Sequence, residues 1–414
     1  MSDNDGDRAA GDARQPEPEL NVSEIAGGAG VSVATVRRWV SQGLVPGFEG
    51  RWTESVRAWV RVIARLRERG HSLEAIHTAI EEGRIVSGPI ETLLRATPGR
   101  HSVGQAARAT GLDRQTVREL MSLTGVVERG SDTLTDQDVE LLSYAATVLD
   151  AGFPRSALMQ LMRVYSQKIA QIADAEVRLI HLYVHEPMIQ AGYSGSEIAA
   201  ELAGLTNDLL PLAPPVMNFM HARLLADFVE LDTIGHMEAE LDAPNSKTGR
   251  LKVAIAFADL AGYSRLTVER GDEAALEAVE RFVAAAEAAL PLDARVTKTL
   301  GDEVMVVGSD PAALAHWAVK LQAALGGREP VPRIGVHFGE AVYRDGDYYG
   351  REVNQAARVV ARAAGGEVLA TRVVRDASAA ANGLRFERLG EVALKGFSEP
   401  TELFRVTASE PRVR

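Results

Sequence analysis

Two aspartates, Asp259 and Asp302, each stand where a predicted β-strand ends. Residues 251–259, LKVAIAFAD, are an apolar run typical of a buried strand, and Asp259 closes it. Residues 295–308, RVTKTLGDEVMVVG, predict two strands joined by a tight turn at Gly301 and Asp302. A hairpin tip holds a carboxylate rigidly, and Mg²⁺ and Mn²⁺ prefer carboxylate oxygens as ligands. We therefore expect the two aspartates to converge on one metal site.

Three blocks of sequence, in order, resemble the motifs of one known family, the class III nucleotide cyclases. FADLAGYS (257–264) resembles the opening signature of that family, and KTLGDEV (298–304) resembles its hairpin motif. DYYGREVNQAAR (347–358) is similar to the segment that carries its base-recognising and transition-state residues. The resemblance covers about residues 251–406, and three ordered blocks are far more specific than one.

The resemblance implies a two-metal mechanism. Asp259 and Asp302 would bridge two Mg²⁺ or Mn²⁺ ions, with the backbone of Leu260 as a further ligand. One ion would lower the pKa of the ribose 3′-hydroxyl, and the other would bind the triphosphate. The turn amides of residues 260–264 could cradle phosphate oxygens. The substrate-binding candidates in this turn are Gly262, Tyr263 and Ser264.

A second set of residues would hold the nucleotide. Lys298 can donate to adenine N1 and Asp347 can accept from the exocyclic amine, whereas guanylate-specific relatives carry a different pair, so the resemblance implies ATP. Asn354 and Arg358 lie four apart on a predicted helix and share one face. By resemblance, Asn354 positions the ribose, and Arg358 stabilises the charge that develops on phosphate. Lys395, in LKGFSEP, would contact the triphosphate.

In the family, the metal-binding acids of one site come from one subunit and the base-recognising and transition-state residues come from the other. All of them occur in this single sequence, so we expect a homodimer with two equivalent sites at its two-fold interface.

The C-terminal domain alternates strands and helices, with the 295–308 hairpin between two helices. This order predicts a ferredoxin-like α+β sheet covered by helices on one face. The other predicted elements are strands over 251–259 and 333–338 and helices over 274–289, 311–325 and from Val353. The fold class is therefore multidomain, with an all-α N-terminal half before this α+β domain.

A helix-turn-helix pattern lies near the N-terminus. Gly30 separates two helical patterns, and Ser32 is a natural N-cap for the second helix. With TVRRWVSQGLV and RERGHSLEAI, residues 20–84 resemble the MerR-type winged helix-turn-helix family, although the wing at GFEGRWTES is short. Candidate contacts to double-stranded DNA are Thr35, Arg37, Arg38 and Arg51. The alternative is a solvated basic face on a protein-contacting domain.

Charge supports a local DNA-binding surface. Residues 31–70 hold eight Arg and three Glu, a net charge of +5, in a chain whose net charge is −12. Residues 1–19 are acidic and poor in apolar residues, which predicts a disordered tail.

The helix-turn-helix pattern occurs twice. A shift of 81 residues aligns Val22 with Val103, Gly30 with Gly111 and Arg37 with Arg118. We infer a second copy of the fold within residues 99–165, with fewer basic residues and a structural or protein-contacting role.

Residues 164–241 predict nearly continuous helix, interrupted at Pro187, Gly192 and LLPLAPP. Residues 102–241 resemble the regulatory module that precedes the catalytic domain in some soluble bacterial cyclases. His181 and His185 lie near a predicted helix end before Pro187, where the helix dipole favours protonated imidazole. We hypothesise that their protonation shifts an inhibited dimer toward an active one.

The composition of the 414 residues, 46% apolar and 25% charged, is ordinary for a globular protein, and the absence of Cys excludes disulfides and thiolate metal sites. No signal-peptide or membrane-span pattern is present, so we expect a cytoplasmic protein without membrane contact. The predicted segments are the tail 1–19, the helix-turn-helix domain 20–98, its second copy 99–165, a helical regulatory segment 166–242, a linker 243–250 and the catalytic domain 251–408.

Three functions remain open at this point. The first is an adenylate cyclase that converts ATP to 3′,5′-cyclic AMP and pyrophosphate, regulated by the N-terminal half and able to bind DNA. The second is a nucleotide-sensing MerR-type transcription regulator with little turnover. The third is a dual protein in which promoter binding and cyclase activity are coupled.

Overall fold

A computed structural model describes residues 19–46, 48–82, 84, 101–124, 133–242, 250–327 and 329–409. Residues 1–18 of the predicted tail, 85–98 of the predicted helix-turn-helix domain, 99–100 and 125–132 of its predicted second copy and 243–249 of the predicted linker lie outside these ranges. The chain divides into two compact units, Met1–Ala222 and Arg223–Arg414. Across the described residues, no helix has the length and apolarity that a membrane crossing requires.

The first unit begins with the predicted helix-turn-helix. Helix α1 (Val22–Gly28) and helix α2 (Val33–Ser41) are separated by Gly30 at φ +66°. The Ser32 hydroxyl accepts a hydrogen bond from the Thr35 amide at 3.1 Å, so it caps α2 as predicted. Two further helices, α3 (Glu54–Glu68) and α4 (Leu73–Glu81), complete the core of this domain.

The same order of four helices recurs 81 or 82 residues later in the chain. The elements are β1 (His101–Ser102), α5 (Val103–Thr110), α6 (Arg114–Leu123), β2 (Thr133–Leu134), α7 (Asp136–Asp150) and α8 (Arg155–Ile180). Helices α5 to α8 start 81 or 82 residues after α1 to α4, and capping side chains recur at the same offset, with Ser102 matching Asn21 and Asp113 matching Ser32. Strands β1 and β2 form a short antiparallel pair, a small exception to an all-α half.

The helical segment does not break at Pro187, and that part of the prediction is wrong. Helix α8 continues through one π-helical turn (His181–His185) into α9 (Glu186–Gln190). The Glu186 amide donates to the carbonyl of His181, five residues earlier, which accommodates a proline that lacks an N–H group. The two histidines therefore lie inside a continuous helical run, and no helix end acts on them. Gly192 (φ +83°) does end the run, before α10 (Gly195–Leu209), a 3₁₀ turn (Leu210–Leu212) and α11 (Ala213–Asp242).

The C-terminal part of the second unit is built on one sheet. Its strands are β3 (Arg250–Ala261), β4 (Arg295–Leu300), β5 (Glu303–Gly308), β6 (Val331–Arg344), β7 (Asp347–Tyr349), β8 (Val368–Thr371), β9 (Leu384–Val392) and β10 (Thr401–Ala408). Their order across the sheet is β4-β5-β3-β6-β8-β10-β9, and β7 pairs with β6. Among the hydrogen-bonded strand pairs described in this sheet, only β6 and β8 pair in parallel. The helices are α12 (Tyr263–Ala288), α13 (Pro311–Leu325), α14 (Arg351–Arg362) and α15 (Arg372–Ala377). The predicted α+β class and the hairpin are confirmed.

Helices cover both faces of this sheet, so the predicted single covered face is wrong. On one face, Ala256 of β3 packs in a core with residues of α12 and α13. On the other, its neighbours Ile255 and Phe257 pack with residues of α14. Helix α14 can approach because β6 carries Gly335, where a Cβ would overlap the backbone nitrogen of Val360. The second face is also the one that carries the side chain of Asp259, since side chains alternate along a strand.

Candidate active site

The two predicted metal-binding acids lie together at one end of β3. Asp259 is 9% exposed, and the turn that carries Asp302 is held beside it because the Leu260 amide donates to the Asp302 carbonyl at 3.2 Å. Burial and then the negative charge of Asp259 raise the pKa of Asp302. Carboxyls whose pKa is raised by burial and by a second carboxyl are common at functional sites.

Two further charged residues, which the sequence motifs do not indicate, lie beside Asp259. Arg333 of β6 and Glu303 of β5 are the cross-strand partners of Asp259. Arg333 donates from Nε, at 2.7 Å, and from Nη2 to one carboxylate oxygen of Asp259. Burial, followed by the charges of Asp259 and Asp302, raises the pKa of Glu303. Only the register of β5 and β6 against β3 identifies these two residues, and the sequence alone does not specify that register.

This donor set fits a hard divalent cation. Asp259, Asp302 and Glu303 lie together. Among the residues that the structure describes, Arg333 forms an ion pair with Asp259 alone, which leaves an excess of negative charge. Carboxylate oxygens are the ligands that Mg²⁺ and Mn²⁺ prefer. In the described ranges, no three His, Asp or Glu side chains form a ready metal cluster. Asp259 and Asp302 would therefore hold such an ion with further oxygens, from the Leu260 carbonyl or from a phosphate group of the substrate.

The two predicted base-recognising residues meet across the sheet. Lys298 Nζ donates to Asp347 Oδ2 at 2.7 Å, and the Tyr348 amide donates to the other carboxylate oxygen of Asp347 at 2.8 Å. A β-bulge between Val296 and Lys298 sets Lys298 opposite Met305, on the face that also carries Asp259. Regular pairing would have turned Lys298 to the other face.

The turn after β3 differs from the predicted phosphate cradle. Leu260 belongs to β3, and its amide is already bonded to the Asp302 carbonyl, so it does not point into a cradle. Gly262 is the N-cap of α12 at φ +87°, with no side chain capping the helix. The amides of Tyr263 and Ser264 therefore begin a helix N-terminus, a place that favours phosphate oxygens. The ring of Tyr263 packs against the core, which leaves its backbone as the available contact.

Asn354 and Arg358 lie on the outer face of α14. Val353 and Ala356 are buried against the sheet, whereas both polar residues are exposed. Their side chains make no hydrogen bond or ion pair with any residue that the structure describes. They are therefore available to a ligand on the side of α14 away from its own sheet.

Lys395 is exposed in the loop between β9 and β10. Leu394 packs in a cluster with Val359 of α14, and the Arg351 guanidinium lies 5.6 Å from the centroid of the Phe397 ring. The loop that carries Lys395 is thus attached to the helix that carries Asn354 and Arg358.

The predicted DNA contacts divide between two places. Arg37 and Arg38 are exposed on α2, while Val36 and Trp39 are buried behind them. Arg51 is also exposed, in the short wing before α3, and the Thr35 hydroxyl lies 2.8 Å from that of Ser32. Thr35 therefore belongs to the capping arrangement of α2.

His181 and His185 contact each other in the π-helical turn. Their Nδ1 atoms are 3.0 Å apart, and their ring centroids 5.1 Å. His181 is exposed, whereas His185 is 8% exposed.

Comparison with known proteins links both ends of the chain to described families. Residues 247–407 match the adenylate and guanylate cyclase catalytic domain, and residues 20–83 match the MerR helix-turn-helix family of regulatory proteins. An uncharacterized protein of Mycobacterium tuberculosis is 30% identical over 85% of this chain and 91% of its own length. An adenylate cyclase of Streptomyces coelicolor is 29% identical over 65% of this chain and 69% of that protein. A pH-sensitive adenylate cyclase of Mycobacterium tuberculosis is 28% identical over 72% of this chain and 75% of that protein.

Proposed function

Because this chain belongs to the class III nucleotide cyclases and carries a MerR-type helix-turn-helix domain at its N-terminus, we propose that it converts ATP to 3′,5′-cyclic AMP and pyrophosphate. The observation that carries ATP as the substrate is the ion pair of Lys298 and Asp347 on the sheet face of Asp259. It offers a donor and an acceptor side by side, which is what the N1 atom and amino group of adenine require.

Asp259 and Asp302 would hold divalent cations, and Arg333 orients the carboxylate of Asp259. Bound cations, two in each site, would favour ionisation of the ribose 3′-hydroxyl and offset the charge of the leaving pyrophosphate. Asn354 orients the ribose, and the guanidinium of Arg358 stabilises the charge that develops at the α-phosphate. The helix N-terminus at Ser264 and the ammonium of Lys395 bind the triphosphate.

A homodimer is part of this proposal. The outward direction of Asn354 and Arg358 supports it, since these side chains face away from the sheet that carries the aspartates of the same chain. Exposed apolar side chains near the site, Leu300 at 61% and Tyr349 at 51%, also support a second copy as the partner. One copy would supply the metal-binding acids and the other Asn354 and Arg358.

Two regulatory inputs complete the proposal. The exposed Arg37 and Arg38 on a capped helix support binding of α2 to double-stranded DNA. The contact between His181 and His185 supports a pH input, because a hydrogen bond between their Nδ1 atoms needs one unprotonated nitrogen. Protonation of both rings would set two N–H groups against each other. The similarity to a pH-sensitive adenylate cyclase agrees with this input.

The alternative, a nucleotide sensor with little turnover, is less well supported. A sensor needs the base contact but could dispense with Asn354 and Arg358. Both are present, exposed and available to a ligand, which favours an enzyme.

Purified full-length protein tests the proposal directly. With ATP and Mn²⁺ we expect cyclic AMP, and we expect Asp302→Ala to lower the rate by about a hundredfold or more, because the cation loses a ligand. Asp272→Ala, an exposed aspartate on α12, is the matched control and should be unchanged. Equal rates for the Asp302→Ala variant and the unaltered protein would refute the two-aspartate site.

The pH input has its own test. We expect the pH–activity profile of His181→Ala and His185→Ala variants to flatten on the acidic side, while His221→Ala, an exposed histidine on α11, keeps the original profile. Identical profiles in all four proteins would remove the histidine pair from the proposal.

A further inference from the structure

Helix α14 rests in a groove on β6 made by the segment GVHFG, residues 335–339. Gly335, His337 and Gly339 share one face of the strand, because side chains alternate. A Cβ at Gly335 would overlap the backbone of Val360, and a Cβ at Gly339 would lie 2.8 Å from the Cγ of Glu352. The two glycines thus let α14 lie directly on the strand, with His337 between them.

His337 is 3% exposed and bonds in two directions. Its Nε2 lies 2.6 Å from a carboxylate oxygen of Glu352, in the first turn of α14. Its Nδ1 lies 2.8 Å from the hydroxyl of Thr371, the last residue of β8. The imidazole therefore links the start of α14 to two strands of the sheet.

An imidazole at this buried position requires hydrogen-bond partners for both ring nitrogens. Burying a polar ring costs free energy unless both nitrogens are bonded, and an apolar side chain would fill the space without that requirement. What the imidazole adds is direction, since one Nε2–H bond determines where the Glu352 carboxylate can lie. Glu352 stands two residues before Asn354, so the bond also restricts where the first turn of α14 presents Asn354.

We propose that His337 is a positioning residue: by holding Glu352, it sets the placement of α14 and so of Asn354 and Arg358. The inference rests on the proposed roles of those two residues in the reaction. This positioning role is separate from the roles of the metal-binding and base-recognising residues, none of which lies on α14. Loss of the bond between His337 and Glu352 should therefore slow the chemical step more than it weakens nucleotide binding.

Two variants of His337 distinguish the effect of its hydrogen bond to Glu352 from that of its hydrogen bond to Thr371. In His337→Gln the amide nitrogen stands near the former Nε2, so the bond to Glu352 survives and the bond to Thr371 is lost. In His337→Asn the amide stands near the former Nδ1, so the bond to Thr371 survives and the bond to Glu352 is lost. Each variant loses one buried hydrogen bond and keeps an amide, which makes them matched controls for general destabilisation.

We expect His337→Asn to lower kcat by about tenfold or more, with a KM for ATP within about threefold of the unaltered protein. By the same reasoning, His337→Gln should keep kcat within about threefold. Amide hydrogen exchange over residues 351–358 should be faster in His337→Asn than in His337→Gln. Equal kcat values in the two variants, or equal exchange rates, would overturn the inference.

Asn354→Ala, measured alongside, separates the proposed reaction role from the positioning role. If Asn354→Ala retains full kcat, the proposed role of Asn354 fails, and exchange over 351–358 still decides whether His337 places α14. If Asn354→Ala lowers kcat while His337→Asn does not, the proposed site stands and the positioning role is wrong.

A variant on the helix side covers the case in which His337→Asn folds poorly. Glu352→Ala removes the same hydrogen bond from α14 and leaves the imidazole and its bond to Thr371 in place. It should reproduce the loss of kcat and the faster exchange over residues 351–358. Unchanged values of both in Glu352→Ala would overturn the inference.

Discussion

Lys298 Nζ lies 2.7 Å from Asp347 Oδ2, although the two residues are 49 positions apart in the chain. Their side chains are 31% and 25% exposed, and an ion pair this open to solvent contributes only about 0–1 kcal/mol to stability. The pair therefore adds little to the stability of the fold, which agrees with the ligand-binding role proposed for it.

Lys298→Ala should raise the KM for ATP by about tenfold and reduce the preference for ATP over GTP, because the base loses a hydrogen-bond donor. Its melting temperature should change little. Steady-state kinetics with both nucleotides measure the effect, and Lys320→Ala, an exposed lysine on α13, is the control. An unaltered nucleotide preference would contradict the assignment of Lys298.

Mn²⁺ should raise the melting temperature of the unaltered protein, because a ligand that binds only the folded state stabilises it by about 2.7 kcal/mol at a hundred times its Kd. Asp302→Asn should lose most of this increment, since the amide is a weaker ligand than the carboxylate. Asp272→Asn should keep it. A full Mn²⁺ shift in Asp302→Asn would show that the ion binds elsewhere.

Arg37→Ala should weaken binding of the full-length protein to double-stranded DNA and reduce the salt dependence by about one phosphate contact. The matched control is Arg118→Ala, because Arg118 holds the corresponding position on α6 of the second copy. Titrations at several salt concentrations measure both slopes. Equal losses in the two variants would argue against a specific role for α2.

His337 makes stability depend on pH. Burial lowers its pKa, the nearby Glu352 carboxylate partly opposes this, and the charge of Arg351 adds to the lowering. The folded state thus prefers the neutral ring, so the stabilisation is fully present above the unfolded-state pKa of 6.5 and is lost as pH falls through the lower folded-state pKa.

Urea unfolding of the unaltered protein and of His337→Gln measures this effect. The difference in free energy of unfolding between them should shrink as pH falls from about 7.5 to about 5.5. His71→Gln, an exposed histidine, should show no such trend in its difference. A difference that stays constant over this range would contradict the lowered pKa of His337.

Local patterns in the sequence were sufficient to predict several structural elements. The turn at Gly301, the cap at Ser32 and the bounds of α13 (Pro311–Leu325) all follow from neighbouring residues, because turn chemistry, capping and hydrophobic period act over a few positions. The cyclase and MerR resemblances likewise depend on short motifs that stand intact in the chain.

The tertiary structure decided what depends on pairing between distant segments. Alternation along RVTKTL would put Val296 and Lys298 on one face, and only the bulge against β5 brings Lys298 to the face of Asp259. Arg333 reaches Asp259 because β6 pairs with β3 in one register, 74 positions away. The second covered face depends on the contact of Gly335 with α14. Register and close packing are collective properties of the folded sheet, so no stretch of sequence read by itself contains them.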